Sequence, residues 1–283
     1  MFGIEEGRNR SWGGDGLPQP SLDVVQSQLP TQAQVESFAY RLWCQSMAVS
    51  PQYSRKQWEY VYVLQALEQH GLLRQGARGL GFAVGREPIP ALLARAGVTV
   101  LATDLPAAKP QSTDWSRTGQ HSDSLEQLNE RGLCPADLFS ANVEYMPVDM
   151  LHIPERLDGA FDFVWSCCAL EHLGDLEAGW RFVENSIRCL KPNGIAVHTT
   201  EYCLSSNVRT IERSSTVLYR RRDLEALRSR LNKRGYTIDL NLNAGGDRWD
   251  RLVGLPPYRG RALRQYSHPF IHTSVGLCII PDA

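Results

Sequence analysis

Residues Arg78–Asp104 read RGLGFAVGREPIPALLARAGVTVLATD, and the reading of this stretch decides the fold. It parses as a short strand, a glycine-rich turn, a helix and a second apolar strand ending on an acid. Gly79, Gly81 and Gly85 leave the backbone bare where a loop bends sharply and a ligand approaches the main chain. Pro88 suits the first turn of the helix, where a missing N–H costs nothing. Leu92, Leu93 and Ala96 give that helix an apolar face. Val98–Thr103 is nearly all apolar, as expected of a parallel strand covered on both sides. Asp104 falls at the carboxyl end of that strand, where α/β proteins bind ligands and a carboxylate can hold both ribose hydroxyls. The unit reads as a nucleoside-binding βαβ.

The dinucleotide fingerprint G-x-G-x-x-G fits poorly, because Val84 occupies the third slot and Gly85 comes one place late. Composition narrows the rest. A chain of 283 residues with 42% apolar and 22% charged residues is ordinary for a soluble globular protein and fits one decorated α/β domain. A formal net charge of −1 provides no global attraction for nucleic acid or anionic membrane. The 7 cysteines include no C-x-x-C pair, and the adjacent Cys167 and Cys168 lie in an apolar run, as buried thiols do. MFGIEEGRNR lacks a basic flank followed by an apolar stretch, and no run of about 18 apolar residues exists to span a bilayer. A cytoplasmic location is expected.

Residues 1 to about 30 are rich in Gly, Pro, Gln and Ser. Val35, Phe38 and Leu42 predict a helix over Thr31–Ser46, and Trp58, Val61, Tyr62, Leu64 and Leu67 predict another over Arg55–His70. A polar insertion of about 35 residues follows Asp104, a length more often functional than accidental. Trp115, Gln120 and His121 are its chemically interesting members, and Trp115 could equally stack on a ligand or anchor the loop. A third strand at Val143–Met146 leads to Asp149 and Met150. The block FDFVWSCCALEHLGDLEAGWRFVENSIRCLKPNGIAVHTTEY, Phe161–Tyr202, then predicts a buried strand, Glu171-His172 at its carboxyl end, an amphipathic helix, a turn at Lys191–Gly194 and another buried strand. Asn193 can take the left-handed conformation at that turn. Asp223 predicts the N-cap of a later helix, and Tyr236–Leu242 and Thr273–Ile280 two last strands.

Together these blocks resemble class I S-adenosylmethionine (SAM)-dependent methyltransferases of the small-molecule, methyltransferase type 11-like kind. The spacing matches their first motif, acid-x-G-x-G-x-G, with Gly81, Ala83 and Gly85 at the small positions. Gly79 stands where the acid usually is, and Ala83 replaces the middle glycine. The order FD-strand, LEH, helix, LKPNG, strand matches their fourth and fifth strands, and the resemblance covers about residues 77–200. It implies a Rossmann-like, seven-stranded, mostly parallel sheet with flanking helices and a closing antiparallel hairpin. Residues 71–283 would form the catalytic domain and residues 1–70 an extension with a helical lid, although the two early helices could simply pack on a sheet edge.

The resemblance implies that Gly79, Gly81, Ala83, Gly85, Asp104, Leu105, Asp149, Met150, Ser166 and Cys167 bind SAM. Asp149 would accept from the adenine amino group and Met150 would pack on the ring; the alternative is that Asp149 caps the next turn. Methyl transfer from a sulfonium is an in-line displacement for which positioning supplies much of the catalysis. A base is needed when the acceptor holds its proton at neutral pH. His172 is the candidate base, with Glu171 beside it, because an imidazole titrates near working pH; the alternative is that the pair ties down a helix start. Trp58, Trp115, His121, Glu201 and Tyr202 are the candidate acceptor contacts. His198 and Glu201 fall on opposite faces of a regular strand, so no metal site is expected. The basic cluster Arg209–Arg234 is either a solvated face or a seat for a phosphate-bearing acceptor.

The expected partner is a small-molecule acceptor, with O-methylation of a sugar or related metabolite favoured by resemblance to polysaccharide-biosynthesis-associated methyltransferases. A second copy of the chain in a homodimer is a further candidate. Nucleic acid and membrane are not expected. A SAM-binding partner or regulatory protein without catalysis is the second reading, kept open by Gly79 and Ala83. A nicotinamide-dependent oxidoreductase is the third.

Overall fold

The structure is a computed structural model and describes residues 16–106, 125–258 and 261–282. Its strands are β1 (Arg78–Gly81), β2 (Thr99–Asp104), β3 (Val143–Pro147), β4 (Phe161–Cys167), β5 (Leu190–Cys203), β6 (Tyr236–Thr237), β7 (Arg264–Ser267) and β8 (Phe270–Pro281). The main helices are α1 (Phe38–Ser46), α2 (Arg55–Gln69), α3 (Ile89–Arg95), α4 (Leu176–Ser186) and α5 (Arg221–Asn232). The spatial order β3-β2-β1-β4-β5-β8 is parallel up to β5, and β8 runs antiparallel to it. The chain moves outward from β1 in one direction through β2 and β3, then returns to the other side through β4 and β5. The crevice beyond the carboxyl ends of β1 and β4 is therefore the switch point where such sheets take ligands.

The sheet has nine strands among the described residues, against the seven expected. The difference lies on the outer edge of β8. β6 pairs only with Ile280 and Pro281, while Leu240–Asn241 leaves the sheet to pair with Ser27–Gln28. β7 covers the other end of β8, and Val253–Gly254 lies beside β7. An open edge is usually blunted by short strands of this kind, and two-residue pairings leave no periodic signature to read.

Two helical layers cover the sheet. Tyr62, Leu64, Leu67 and the α3 residues Leu92 and Leu93 pack with Phe163 and Trp165 on one face. Phe182, Val183, Leu224, Leu227 and Leu231 pack with Val164 and Ala196 on the other. The body of α2 is core: Trp58, Val61, Tyr62 and Leu64 are wholly buried. Only Arg55, Lys56, Glu59 and Tyr60, near its N-terminal end, reach the crevice. The predicted helix over Thr31–Ser46 is interrupted, because Ser37 Oγ accepts from the Tyr40 N–H at 3.2 Å and starts α1 afresh. Asp223 is the third residue of α5 and not its cap; its carboxylate accepts from the Arg220 N–H at 2.8 Å. Lys191–Gly194 bulges out of β5, with Asn193 at φ 66° as expected.

Gly79 and Gly81 are required for a reason other than ligand approach. A Cβ on Gly79 would lie 2.5 Å from the Phe163 ring, and one on Gly81 would lie 2.4 Å from the Trp165 ring. Both glycines lie within β1 and make room for aromatic side chains of β4. Gly79→Ala is expected to destabilise the fold by about 1–3 kcal/mol through overpacking, measured by denaturant unfolding. Unchanged stability would mean that the β4 rings can repack freely.

Candidate active site

Two cavities open at the carboxyl ends of the central strands. The larger, about 630 Å³, runs from Gly85 and Glu87 past Asp104 and Leu105 to Asp149, Met150 and His152. The smaller, about 490 Å³, is lined by Arg55, Glu59, Glu171, Glu201, Arg261 and Gln265, among others. Lys56, Cys168 and His172 line both, so the cavities meet there.

The larger cavity is built from strand ends and the turns that follow them. Ala83 and Gly85 both have positive φ, 49° and 50°, which folds the β1–α3 turn back over the crevice. An alanine in this region carries local strain that the surrounding packing must hold. Asp104 is buried at the end of β2, and its Oδ1 accepts from the Leu105 N–H at 2.7 Å. Asp149 serves its own turn, accepting from the Leu151 N–H at 2.9 Å and lying 3.2 Å from His152 Nδ1. Glu87 accepts from the Trp165 indole N–H at 2.6 Å, and burial pushes its carboxyl up to about 7.

The smaller cavity is a polar chamber. Glu201 Oε2 pairs with Arg55 and lies 2.5 Å from His272 Nδ1. Burial alone would raise this carboxyl, but the Arg55 guanidinium holds it well below the usual carboxylate range. Burial pushes Glu171 up; its Oε2 accepts from Thr200 Oγ1 at 2.9 Å, while its buried Oε1 has no hydrogen-bond partner. Glu59 accepts from Cys168 Sγ at 2.9 Å and from Ser274, and its Oε2 likewise has no hydrogen-bond partner. His172 Nδ1 is 2.6 Å from the Ser215 carbonyl, so that nitrogen carries the proton and donates. In the neutral ring Nε2 is then the accepting nitrogen, 3.8 Å from Glu171 Oε1.

A carboxylate at the ribose position, an apolar Val148–Met150 wall and a bare turn match what an adenosine group requires of a crevice. A methyltransferase domain family model matches residues 80–198, the segment that carries the β1 turn, Asp104, Asp149 and His172. The chain carries a methyltransferase domain over that segment. SAM is its methyl donor, and the nicotinamide alternative falls. No match is found among curated proteins. Among solved structures the methyltransferase is similar to magnesium protoporphyrin IX methyltransferase from Synechocystis with bound SAM, at 13% identity, covering 87% of this chain and 92% of that one, TM-score 0.47. It is also similar to 1,6-didemethyltoxoflavin-N1-methyltransferase from Burkholderia thailandensis, at 13% identity, 89% and 82% coverage, TM-score 0.44. A third similar structure, described as a sarcosine dimethylglycine methyltransferase from Galdieria sulphuraria, is 20% identical with TM-score 0.41; the match covers 63% of this chain and only 59% of that one.

Of the residues that the family pattern assigns to SAM, the methyltransferase brings Ala83, Gly85, Asp104, Leu105, Asp149, Met150 and Cys167 to the larger cavity. Gly79 and Gly81 do not reach it, for the packing reason given above. Nor does Ser166, which is buried against His198 Nδ1 at 2.8 Å. His198 is held neutral by burial, down to about 3, on the sheet face opposite the site. Glu201 lines the polar chamber, but Tyr202 points to the opposite face because side chains alternate along a strand. Trp58 is corrected as well: it is wholly buried, stacked on Tyr62 at 5.0 Å and bonded to Gln34, so it is core and not an acceptor contact. Trp115, Gln120 and His121 lie outside the described residues. In the basic cluster, Arg220 pairs with Asp223 and Glu212, and Arg230 with Glu177 and Glu184, which is a structural ion-pair network.

Arg55, Lys56, Glu59 and Glu87 were not singled out from sequence. Glu87 is part of the quoted turn, and a charged residue beside a glycine loop was the available signal. The three α2 residues carried none, because a polar first turn on an amphipathic helix reads as solvated. Among the described residues, Cys168, Glu171 and Glu201 hold ligand-type atoms within 4.8 Å of one another. Glu201 is already committed to Arg55 and His272, and burial pushes the Cys168 thiol up, so the cluster suits hydrogen bonding better than a cation. No described helix is long and apolar enough to cross a membrane.

Proposed function

We propose that the enzyme methylates a hydroxyl of a small polar acceptor, such as a sugar or related metabolite, held in the polar chamber. The observation that carries this reading is the junction of the two cavities at Lys56, Cys168 and His172. An acceptor in the smaller cavity meets a donor in the larger one there. Glu171 Oε1, buried and without a hydrogen-bond partner, suits an acceptor that carries O–H donors.

When bound, SAM supplies an activated methyl group on a sulfonium that leaves as a neutral thioether. His172 Nε2 receives the hydroxyl proton as the acceptor oxygen forms its bond to carbon. The Ser215 carbonyl fixes the tautomer. Asp104 holds the ribose hydroxyls. Asp104→Ala is expected to lower SAM affinity about 10- to 100-fold with the fold retained, read by calorimetry. Normal SAM binding by that variant would remove Asp104 from the site.

The reading is tested by titrating SAM, S-adenosylhomocysteine and NAD calorimetrically, then following label from SAM into a panel of polyols, sugars and amines. Turnover of hydroxyl acceptors supports it. Turnover of amines alone would make the enzyme an N-methyltransferase. Binding of SAM with no turnover on any acceptor would favour the regulatory alternative.

A further inference from the structure

The larger cavity has three regions, and two already have occupants under the reading above. The adenosine portion belongs to the Asp104–Met150 end, and the reacting methyl must face the junction with the polar chamber. What remains is the end enclosed by Gly85, Glu87, Lys56 and Tyr60. The portion of the donor left to fill it is a free amino acid group, one ammonium and one carboxylate. A cavity that accepts both must present both signs of charge, and this one does.

We propose that Glu87 and Lys56 form a charge clamp for the amino-acid end of the methyl donor, Glu87 taking the ammonium and Lys56 the carboxylate. The proposal rests on the SAM-site reading and deepens it. Glu87 is buried, and its carboxylate is aimed by the Trp165 indole, which occupies one oxygen at 2.6 Å. Lys56 is carried on the first turn of α2, where its Nζ donates to the Cys167 carbonyl at 3.2 Å and lies 3.5 Å from Glu59 Oε2. Its side chain remains 47% exposed, so the ammonium is available to a ligand in either cavity.

The same residues account for the departure at Gly79. An acid there is sterically excluded, since any Cβ would meet the Phe163 and Trp165 rings. Phe163 fills most of this space, and Trp165, whose ring lies 3.2 Å from the same point, is the aromatic that donates to Glu87. The clamp thus moves the missing negative charge from the strand to the turn that follows it.

The groups facing Glu87 are Lys56 and Tyr60 from α2, Cys167 at the end of β4 and Asp104 at the end of β2. Lys56 favours the carboxylate and Asp104 opposes it, while burial raises its titration to about 7. An ammonium prefers the ionised form, so SAM affinity should fall as pH falls through that value. The fall should be about tenfold between about pH 7.5 and pH 5.5.

The test compares calorimetric binding of SAM with that of 5′-methylthioadenosine, which keeps the adenosine and sulfur but lacks the amino acid. Glu87→Gln keeps an oxygen for Trp165 and is expected to weaken SAM about 10- to 100-fold while leaving methylthioadenosine within about twofold. Lys56→Met should show the same selectivity. Unchanged SAM affinity, or an equal loss for both ligands, would overturn the clamp while leaving the donor site standing. Should Glu87→Gln fail to fold, the wild-type pH series decides. A fall for SAM alone supports the clamp, and parallel curves overturn it. Failure of both ligands to bind the wild type would overturn the donor site and the clamp with it.

Discussion

His172→Ala is expected to lower kcat about 10²- to 10⁴-fold while SAM affinity stays near the wild-type value. The argument is geometric. The Ser215 carbonyl 2.6 Å from Nδ1 fixes which nitrogen carries the proton, and Thr216 Oγ1 at 3.2 Å supports the same edge. The opposite nitrogen is thereby a base in the neutral ring, and the residue stands where both cavities meet. Glu171 is wholly buried beside it, its Oε1 3.8 Å from Nε2. A residue that only anchored the turn after β4 would, when removed, lower stability and donor affinity before it lowered turnover. Single-turnover rates and donor titrations on the variant separate the two. Full turnover by His172→Ala would remove the base and leave the reaction class untouched.

Glu201→Ala is expected to destabilise the fold by about 3–5 kcal/mol at neutral pH, measured by denaturant unfolding. Arg55 and Glu201 have side chains only 13% and 8% exposed, and together they join the first turn of α2 to the end of β5. Removing the carboxylate leaves the guanidinium buried with Gln265 Oε1 at 2.9 Å as its remaining neutral contact. Buried ion pairs are weak evidence of net stabilisation, but breaking one leaves an uncompensated charge. The pH dependence has a definite sign. Glu201 is held below its unfolded value, so its contribution is complete above the usual carboxylate range and is lost as pH falls through the depressed value. The gap between wild type and variant should therefore narrow in acid. A loss under 1 kcal/mol at neutral pH would mean that water reaches Arg55 and screens it.

Much of the larger cavity's lining was legible because its residues are set by local rules. A glycine-rich turn, an acid ending an apolar strand and a second acid after the next strand are each read within a few positions. Asp104, Asp149, Met150, Ala83 and Gly85 therefore came out together. Gly79 and Gly81 were recognised as necessary glycines with the wrong cause assigned, because a close ligand and a close aromatic ring ask the same of a backbone. Ser166, Tyr202 and Trp58 show a second kind of error. Each is near the site in sequence, but strand alternation and the helix stripe send their side chains elsewhere.

What the sequence by itself determined is the parallel βαβ architecture, the acid-bearing strand end that lines the larger cavity, and the identity of the block bearing His172. Hydrophobic period and turn chemistry act over short stretches, so one chain suffices to read them. What only the tertiary structure decided is the polar chamber. Arg55, Lys56 and Glu59 come from α2, Glu171 and Glu201 from beyond β4 and along β5, and His272 from β8. These residues are far apart in the chain, and their charges look solvated until packing removes the water. Burial then turns ordinary side chains into a raised carboxyl, a depressed one and a fixed imidazole. That environment is a property of the packed layers, carried by no single segment.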